Sequence, residues 1–147
     1  MLMMHLMDRI PFFSAFTEEE KRSLVEEQVS CFANYDKGGY LTREGEQDRA
    51  LFILIKGRAR VFKRADPDHP ITTLEPGSVF GEISFLTGQS RTTDIVAIED
   101  LLVFKVDDPS ILARMDLSLQ LKIKDKMIEV LVSRLEHANR TVIACRQ

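Results

Sequence analysis

Residues 80–93 have the sequence FGEISFLTGQSRTT, and the residue types in this segment decide how the rest of the chain is interpreted. The segment carries one acid, Glu82, and one base, Arg91, and is otherwise uncharged. Two glycines, Gly81 and Gly88, interrupt it, and glycine permits backbone conformations and close approaches that other residues resist. The acid and the base either neutralise one another as a structural ion pair or together hold a polar ligand.

The sequence around Glu82 and Arg91 favours a ligand site over a structural ion pair. Val79 and Phe80 predict a brief extended piece, Ser84 to Leu86 predict one helical turn, and Gly88 ends it. The first N–H groups of a short helix have no partner inside the helix and attract anions. The guanidinium of Arg91 suits a phosphate, whereas an ionised carboxylate such as Glu82 only accepts hydrogen bonds and suits hydroxyl groups. Such residues predict a pocket for a phosphate with an adjacent hydroxyl, and a cyclic nucleotide carries both.

Outside this segment, residues 32–104 predict a mainly β structure. Short runs rich in Val, Ile, Phe and Thr alternate with turn signals about every ten residues, which is typical of a sandwich or a barrel-like roll. The segment KRADPDHPI, with two prolines and two aspartates, predicts an exposed hairpin tip. The predicted strands have the sequences LFILI, ARVFK, ITTLE, DIVAIE and LLVFKV.

Helices are predicted on both sides of the strands. Thr17 and Glu20 form a capping-box pattern that starts a helix over residues 18–27, preceded by packed phenylalanines. Asp108 is a candidate N-cap followed by Pro109. Residues 117–145 contain neither proline nor glycine and predict one helix with a nearly complete seven-residue apolar repeat. At 1.5 Å per residue this helix would span roughly 43 Å, against a domain diameter of roughly 38 Å. We therefore expect its last turns to pair with those of a second copy in a homodimer. The alternative is a shorter helix with a frayed tail.

Composition excludes several classes of protein. The chain has 147 residues, an apolar fraction of 44 % and a net charge of −3, which suits one globular domain and disfavours direct nucleic-acid binding. The two cysteines, Cys31 and Cys145, have no metal-type spacing, and the three histidines lie in separate segments, so we expect no metal site. No signal peptide, membrane span or catalytic motif is present, and we expect a cytoplasmic protein that is not an enzyme.

The sequence resembles the cyclic-nucleotide-binding domain shared by the bacterial catabolite activator protein, cyclic-nucleotide-dependent kinases and gated channels. The resemblance extends from about Ile10 to Asn139. It is carried by the segments IPFFSAFTEEE, REGE with Gly45, LFILIKGRARV with Gly57, and LEPGSVFGEISFL followed by SRTT. It implies a double-stranded β-helix, a jelly-roll-like β-roll, with an N-terminal helix and a long C-terminal helix. It also implies that residues 80–93 form the phosphate-binding cassette.

The resemblance assigns roles to the cassette residues. Glu82 would accept the ribose 2′-hydroxyl, and Arg91 would pair with the exocyclic phosphate oxygens. Backbone N–H groups near Gly81, Ile83, Ser84 and Thr92 would complete the phosphate cradle. The Thr92 hydroxyl can reach the amino group of guanine, but threonine also occurs here in members that prefer cyclic AMP. The ligand is therefore cyclic AMP or cyclic GMP, with cyclic AMP favoured, and no separate cofactor is expected.

The C-terminal helix offers a second group of candidate residues. His137 and Asn139 lie near the part of the helix expected to cover the base, and we take Asn139 as a candidate ligand contact. A solvated helix face explains both residues equally well. Arg58 and Arg60, which follow Gly57, are predicted to be solvated.

We therefore expect one domain over residues 1–147, made of three parts: an N-terminal helical segment (1–30), a β-roll (31–106) and C-terminal helices (107–147). The sequence ends at Gln147, and we expect this chain to carry no DNA-reading, kinase or channel segment. The leading expectation is a stand-alone regulatory module that signals to an unidentified downstream protein when its C-terminal helix moves over the nucleotide. The alternatives are a ligand-free scaffold or dimerisation module of the same fold, and the sensor fragment of a larger transcription regulator.

Overall fold

The structure, a computed structural model, describes residues 2–146, of which the last is described by its backbone alone. The described chain forms two compact units, one ending at Arg114 and the other beginning at Met115. The first contains all the described strands and four of the helices, and the second consists mainly of one long helix. The prediction that the whole chain is one domain stays a prediction.

The first unit contains two antiparallel four-stranded sheets, with strand orders β1-β8-β3-β6 and β2-β7-β4-β5. This arrangement confirms the predicted β-roll. The strands in chain order are β1 (Phe32–Tyr35), β2 (Tyr40–Thr42), β3 (Leu51–Lys56), β4 (Ala59–Phe62), β5 (Thr72–Leu74), β6 (Val79–Phe80), β7 (Asp94–Ala97) and β8 (Leu101–Val106).

The core of the β-roll is formed by alternate side chains of both sheets. Phe52 and Leu54 of β3 lie in one apolar cluster with Val61 of β4 and Ile95 of β7. Because side chains alternate across a strand, the other buried residues of β3, such as Ile53, face the opposite side of their sheet. Strand β3 is therefore buried on both faces, which explains its unbroken apolar sequence.

Helices and short 3₁₀ turns precede the first strand. The predicted capping box is confirmed, because the Thr17 hydroxyl accepts from the Glu20 amide and the Glu20 carboxylate accepts from the Thr17 amide. Phe12, Phe13 and Phe16 are buried as predicted, and Phe13 also contacts Phe104 of β8 edge-on. The segment comprises α1 (Leu2–Asp8), a 3₁₀ turn (Pro11–Phe13), α2 (Glu18–Glu27) and a second 3₁₀ turn (Val29–Cys31).

Three further helices follow in the chain: α3 (Glu82–Thr87), α4 (Pro109–Ala113) and α5 (Leu117–Arg146). The Asp108 carboxylate caps α4 by accepting from the Ser110 amide at 2.7 Å, as the sequence predicts. Helix α5 is unbroken over 30 residues, and its first half has buried apolar side chains at intervals of four, Leu119, Ile123 and Met127. From residue 132 to residue 145 every side chain is exposed.

Three elements were missed by sequence reasoning, namely α1, β1 and β2. Strand β1 has the sequence FANY and β2 has only three residues, so neither shows enough alternation to be recognised alone. Strand β1 is defined by its pairing with β8, in which Phe32 lies opposite Phe104. Tertiary pairing, rather than local propensity, makes these residues extended.

A pair of glycines provides a test of the β3–β4 turn. Gly57 and Gly38 have almost the same φ, +87° and +89°. A Cβ on Gly57 would overlap the Asp100 carbonyl oxygen and lie 2.8 Å from Leu101 Cδ2, whereas one on Gly38 would meet nothing within 4 Å. We expect Gly38→Ala to lower the free energy of unfolding by about 1 kcal/mol and Gly57→Ala by about 3 kcal/mol, measured by denaturant titration. Equal losses of unfolding free energy in the two variants would show that the positive φ alone, and not the close contacts, makes alanine unfavourable at position 57.

Candidate functional site

The two cassette glycines shape the backbone as the sequence predicts. Gly81 has φ +82° and precedes α3, and Gly88 has φ +74° and caps the helix by donating its N–H to the Ser84 carbonyl at 2.9 Å. A Cβ on Gly81 would lie 2.5 Å from the Ala50 carbonyl oxygen and 2.9 Å from Arg91 Nη1. Gly81 therefore provides both the left-handed conformation and the close approach. The helical turn is longer than predicted, since α3 begins at Glu82 rather than at Ser84.

Arg91 is buried and held in one orientation. Its side chain is 4 % exposed. Nε and Nη2 donate to the two carboxylate oxygens of Asp48 at 2.9 and 2.7 Å, in the bidentate geometry of strong guanidinium pairs. Nη2 also donates to the Ala50 carbonyl at 2.6 Å, and Nη1 donates to the Gly81 carbonyl at 3.3 Å. These contacts use four of the five N–H groups of the guanidinium.

The carboxylate that pairs with Arg91 belongs to Asp48, a residue that sequence reasoning missed. Asp48 lies between β2 and β3 in a run of alternating charges, REGEQDR, which looks like an exposed turn. Burial raises the pKa of this carboxyl group, but the hydrogen bonds from Arg91 and the Ala50 amide outweigh burial and hold the pKa below its ordinary value. The side chain is 37 % exposed, so it keeps access to water that Arg91 lacks.

The other predicted cassette residues lie on or beside the first turn of α3. Glu82 and Ser84 are buried, at 6 % and 5 % exposure, whereas Ile83 is half exposed. The amides of Ile83 and Ser84 belong to the first turn, where no helical carbonyl precedes them as an acceptor. Thr92 is exposed, and its carbonyl accepts from Lys63 Nζ. The structure thus brings Gly81 and Arg91 into contact and places Glu82, Ile83 and Ser84 directly after Gly81.

Asn139 does not lie in the same unit of the chain as the cassette residues. It lies on α5, in the second unit of the chain, and its side chain is exposed. His137, on the same helix, is also exposed, and its carbonyl accepts from the Thr141 hydroxyl at 3.0 Å. The role of Asn139 in ligand binding stays a prediction. Arg58 and Arg60 are exposed as predicted, and Arg58 pairs with Glu99.

The β2–β3 connection also holds the cassette through its backbone. The Gly45 amide donates to the Arg91 carbonyl and the Arg91 amide donates to the Glu46 carbonyl, both at 2.8 Å. Gln47 Nε2 donates to the Ser90 hydroxyl at 2.6 Å. Arg49 donates to the Phe85 carbonyl at 2.7 Å, where a cation satisfies the carbonyl end of α3. The connection therefore holds the carbonyl end of α3 and the segment around Arg91.

A second cation lies beside the same aromatic ring as Arg91. The Lys105 ammonium is 5.5 Å from the centre of the Phe52 ring, and the Arg91 guanidinium carbon is 5.9 Å from it. Burial lowers the pKa of Lys105, but hydrogen bonds and charge interactions with Tyr35 and Asp107 outweigh it and raise the pKa above its ordinary value. The raised pKa keeps Lys105 positively charged near neutral pH.

No helix within residues 2–146 combines the length and the apolarity needed to cross a membrane. In the same part of the chain, no three side chains of His, Cys, Asp or Glu are grouped so that they could hold a metal ion.

Comparison with known proteins identifies the family. Residues 32–116 match the family model of the cyclic nucleotide-binding domain. Because the match covers more than half of the chain, the protein belongs to the cyclic nucleotide-binding domain family, whose domains are regulatory rather than catalytic.

Individual relatives agree with the family assignment. The chain is 41 % identical over 69 residues to cGMP-dependent protein kinase 2 of Homo sapiens, a match that covers 45 % of this chain and 9 % of the kinase. It is 27 % identical over 136 residues to the cyclic AMP receptor protein of Thermus thermophilus, covering 88 % of this chain and 59 % of the receptor. The chain thus spans only part of these relatives. The crystal structure of the Thermus thermophilus catabolite activator protein shares the fold, with a TM-score of 0.68, 24 % identity and coverage of 90 % of this chain and 61 % of that one.

The pairing of Arg91 with Asp48 predicts a strongly non-additive pair of substitutions. Asp48→Ala would leave a buried guanidinium without its counter-ion, and we expect it to lower the free energy of unfolding by about 2 kcal/mol, less than for a fully buried pair because Asp48 is partly solvated. Adding Arg91→Leu removes the uncompensated charge. Denaturant titration of the two single variants and the double variant should therefore give a coupling energy of about 1 kcal/mol or more.

The control is Asp66→Ala, which removes a carboxylate paired with His69 in the exposed β4–β5 connection. We expect a change within about 0.5 kcal/mol. Additive losses for Asp48 and Arg91 would contradict the view that the two side chains stabilise one another.

Proposed function

We propose that this chain is a regulatory module that binds a cyclic nucleotide at residues 80–93 and signals the binding through its C-terminal helix. The buried, oriented guanidinium of Arg91 beside Gly81 is the observation that carries the proposal. An oriented guanidinium can bind a phosphate, and a glycine beside it has no side chain to block the approach of a small ligand to the backbone. Glu82, directly after Gly81, is proposed to accept the ribose 2′-hydroxyl.

Phosphate binding is proposed to proceed by exchange of counter-ions. Arg91 is 4 % exposed and Asp48 is 37 % exposed, so the two partners differ in access to water. When a phosphate takes the donors on Nε and Nη2, the Asp48 carboxylate can be hydrated, whereas the guanidinium is never left without an anion. In this exchange Arg91 keeps its orientation, whereas Asp48 moves away and is stabilised by water.

We propose cyclic AMP as the preferred ligand and cyclic GMP as the second candidate. The relative named as a cyclic AMP receptor protein matches 88 % of the chain, whereas the relative named as a cGMP-dependent kinase matches 45 %. The exposed hydroxyl of Thr92 is compatible with either base. Asn139 is proposed as a polar contact to the base edge.

We propose two protein partners. One is a second copy of the chain, which forms a homodimer, and the other is an unidentified downstream protein. Helix α5 keeps large apolar side chains exposed along the predicted seven-residue repeat, with Ile128 at 58 %, Leu135 at 62 % and Val142 at 51 % exposure. Exposed apolar repeats on a helix are stabilised by pairing with another helix. We propose a cytoplasmic homodimer without catalytic activity or direct nucleic-acid binding by this chain.

A second candidate function is a scaffold of the same fold without a physiological ligand. The Asp48–Arg91 pair favours it, because it neutralises the cassette cation without any nucleotide. A third is the sensor part of a longer transcription regulator, since the chain covers 59 % of the cyclic AMP receptor protein.

Thermal unfolding with cyclic nucleotides separates the first two candidates. At a ligand concentration of a hundred times Kd, we expect about 2.7 kcal/mol of added stability for the wild-type chain. Arg91→Ala should weaken binding at least about a hundredfold, because it removes the hydrogen bonds from a charged group to the phosphate. Isothermal calorimetry measures the affinities.

Arg60→Ala is the matched control, since it removes an exposed arginine of β4 and should leave the affinity unchanged. If neither cyclic nucleotide shifts the unfolding of the wild-type chain, the scaffold is the better description. Unchanged affinity in Arg91→Ala would refute the site assignment.

Signalling through α5 is tested by hydrogen exchange. We expect cyclic nucleotide to slow amide exchange in residues 128–145, because ligand binding must favour one state of the helix if it signals through it. Leu135→Glu places a charge in the proposed dimer seam and should produce a monomer in sedimentation experiments while leaving the cassette intact. Unchanged exchange on saturation with nucleotide would rule out this route, and an unchanged dimer in Leu135→Glu would rule out the seam.

A further inference from the structure

Asp94, the first residue of β7, is a buried carboxylate that contacts the β2–β3 connection, as Arg91 also does. Its side chain is 3 % exposed. Oδ1 accepts from the Glu44 amide at 2.6 Å and from Arg64 Nη2 at 3.1 Å, and Oδ2 accepts from Arg64 Nε at 3.4 Å. Burying a carboxylate is costly, so such a group is retained where its hydrogen bonds hold something in place.

Through the Glu44 amide, Asp94 holds the start of residues 43–48, which we call the brace loop. The next residue of the loop, Gly45, donates its amide to the Arg91 carbonyl at 2.8 Å, and Glu46 accepts from the Arg91 amide at 2.8 Å. The loop ends at Asp48, whose carboxylate pairs with the Arg91 side chain. A continuous series of short contacts thus joins Asp94 to both the backbone and the guanidinium of Arg91.

The surroundings of Asp94 keep it ionised. Burial raises the pKa of its carboxyl group, but the hydrogen bonds from Arg64 and the Glu44 amide, together with the charge of Arg43, outweigh burial and hold the pKa below its ordinary value. Arg64 is 57 % exposed and remains in contact with solvent. The amide of Glu44 therefore meets a full negative charge, which makes this hydrogen bond strong.

We propose that Asp94 is a positioning residue for the ligand site: it anchors the brace loop so that Arg91 is held in the orientation that binds an anion. The inference rests on the proposed function in that the anion is taken to be the phosphate of a cyclic nucleotide. Asp94 acts through the loop and not by touching the ligand.

The test compares Asp94→Ala and Asp94→Asn with the wild-type chain. Asparagine keeps an oxygen that accepts from the Glu44 amide but loses the charge. We expect Asp94→Ala to weaken cyclic AMP or cyclic GMP binding about tenfold or more in calorimetry, with Asp94→Asn between it and the wild type. In the ligand-free protein, the Gly45 and Arg91 amides should exchange about tenfold faster in Asp94→Ala, while amides of β3 such as Leu54 keep their rates.

Glu99→Ala is the matched control, because it removes a carboxylate that pairs with Arg58 shortly after β7 but does not contact the brace loop. It should change neither the affinity for the nucleotide nor the exchange rates of the Gly45 and Arg91 amides. Unchanged exchange at Gly45 and Arg91 in Asp94→Ala would overturn the inference, as would equal acceleration of these amides and of β3, since that marks general destabilisation. Unchanged affinity with a ligand that binds the wild type would also overturn it.

Two outcomes separate this inference from the proposed function. If the wild-type chain binds neither nucleotide, the proposed function fails, and the exchange rates of Gly45 and Arg91 alone decide whether Asp94 positions the arginine. Should Asp94→Ala fail to fold, Asp94→Asn provides both readouts, with a smaller expected effect of about threefold because its oxygen still accepts from the loop.

Discussion

The guanidinium of Arg91 is the constraint on which the site depends. It is almost completely buried, and a buried charge is stable only when most of its donors are directed at acceptors. The surrounding structure satisfies this requirement from three directions: the Gly81 carbonyl before α3, the Ala50 carbonyl at the start of β3, and the Asp48 carboxylate. A left-handed glycine is needed because any side chain at position 81 would occupy the space that the arginine and the Ala50 carbonyl share.

The β-roll brings these groups together from distant parts of the chain. Pairing of β3 with β6 places the start of β3 beside the cassette, with Phe52 opposite Phe80, and their stacked rings lie 5.0 Å apart. Strand β7 begins at Asp94, three residues after Arg91, and pairs with β2 and β4, so the segment after the arginine is held in a sheet. The cassette thus contains the short helix α3 and connects paired strands, and functional groups are often placed on such connections of a rigid fold.

Sequence reasoning succeeded where the signal was local. The capping box at Thr17, the N-cap at Asp108, the long helix and the five recognisable strands all depend on patterns within a few residues, and the structure confirms them. It failed where the signal was a long-range pairing. Strands β1 and β2 are too short to show a period, and Asp48 looks like one more charge in an exposed turn until its partner 43 positions away is known. The same holds for Asp94, which shows no feature in the sequence that distinguishes it from the other acids.

The sequence by itself determined the family and the β-roll, and it predicted the cassette, because glycines at fixed spacing and a lone acid and base in an apolar segment are visible in one dimension. Only the tertiary structure decided how the cation of that cassette is neutralised. Asp48 becomes a partner of this cation because the folded strands bring its carboxylate within 3 Å of the guanidinium, and electrostatic energy in a partly buried site changes steeply over such distances. Spacing along the chain does not encode that distance, since it results from the pairing of strands that are far apart in sequence.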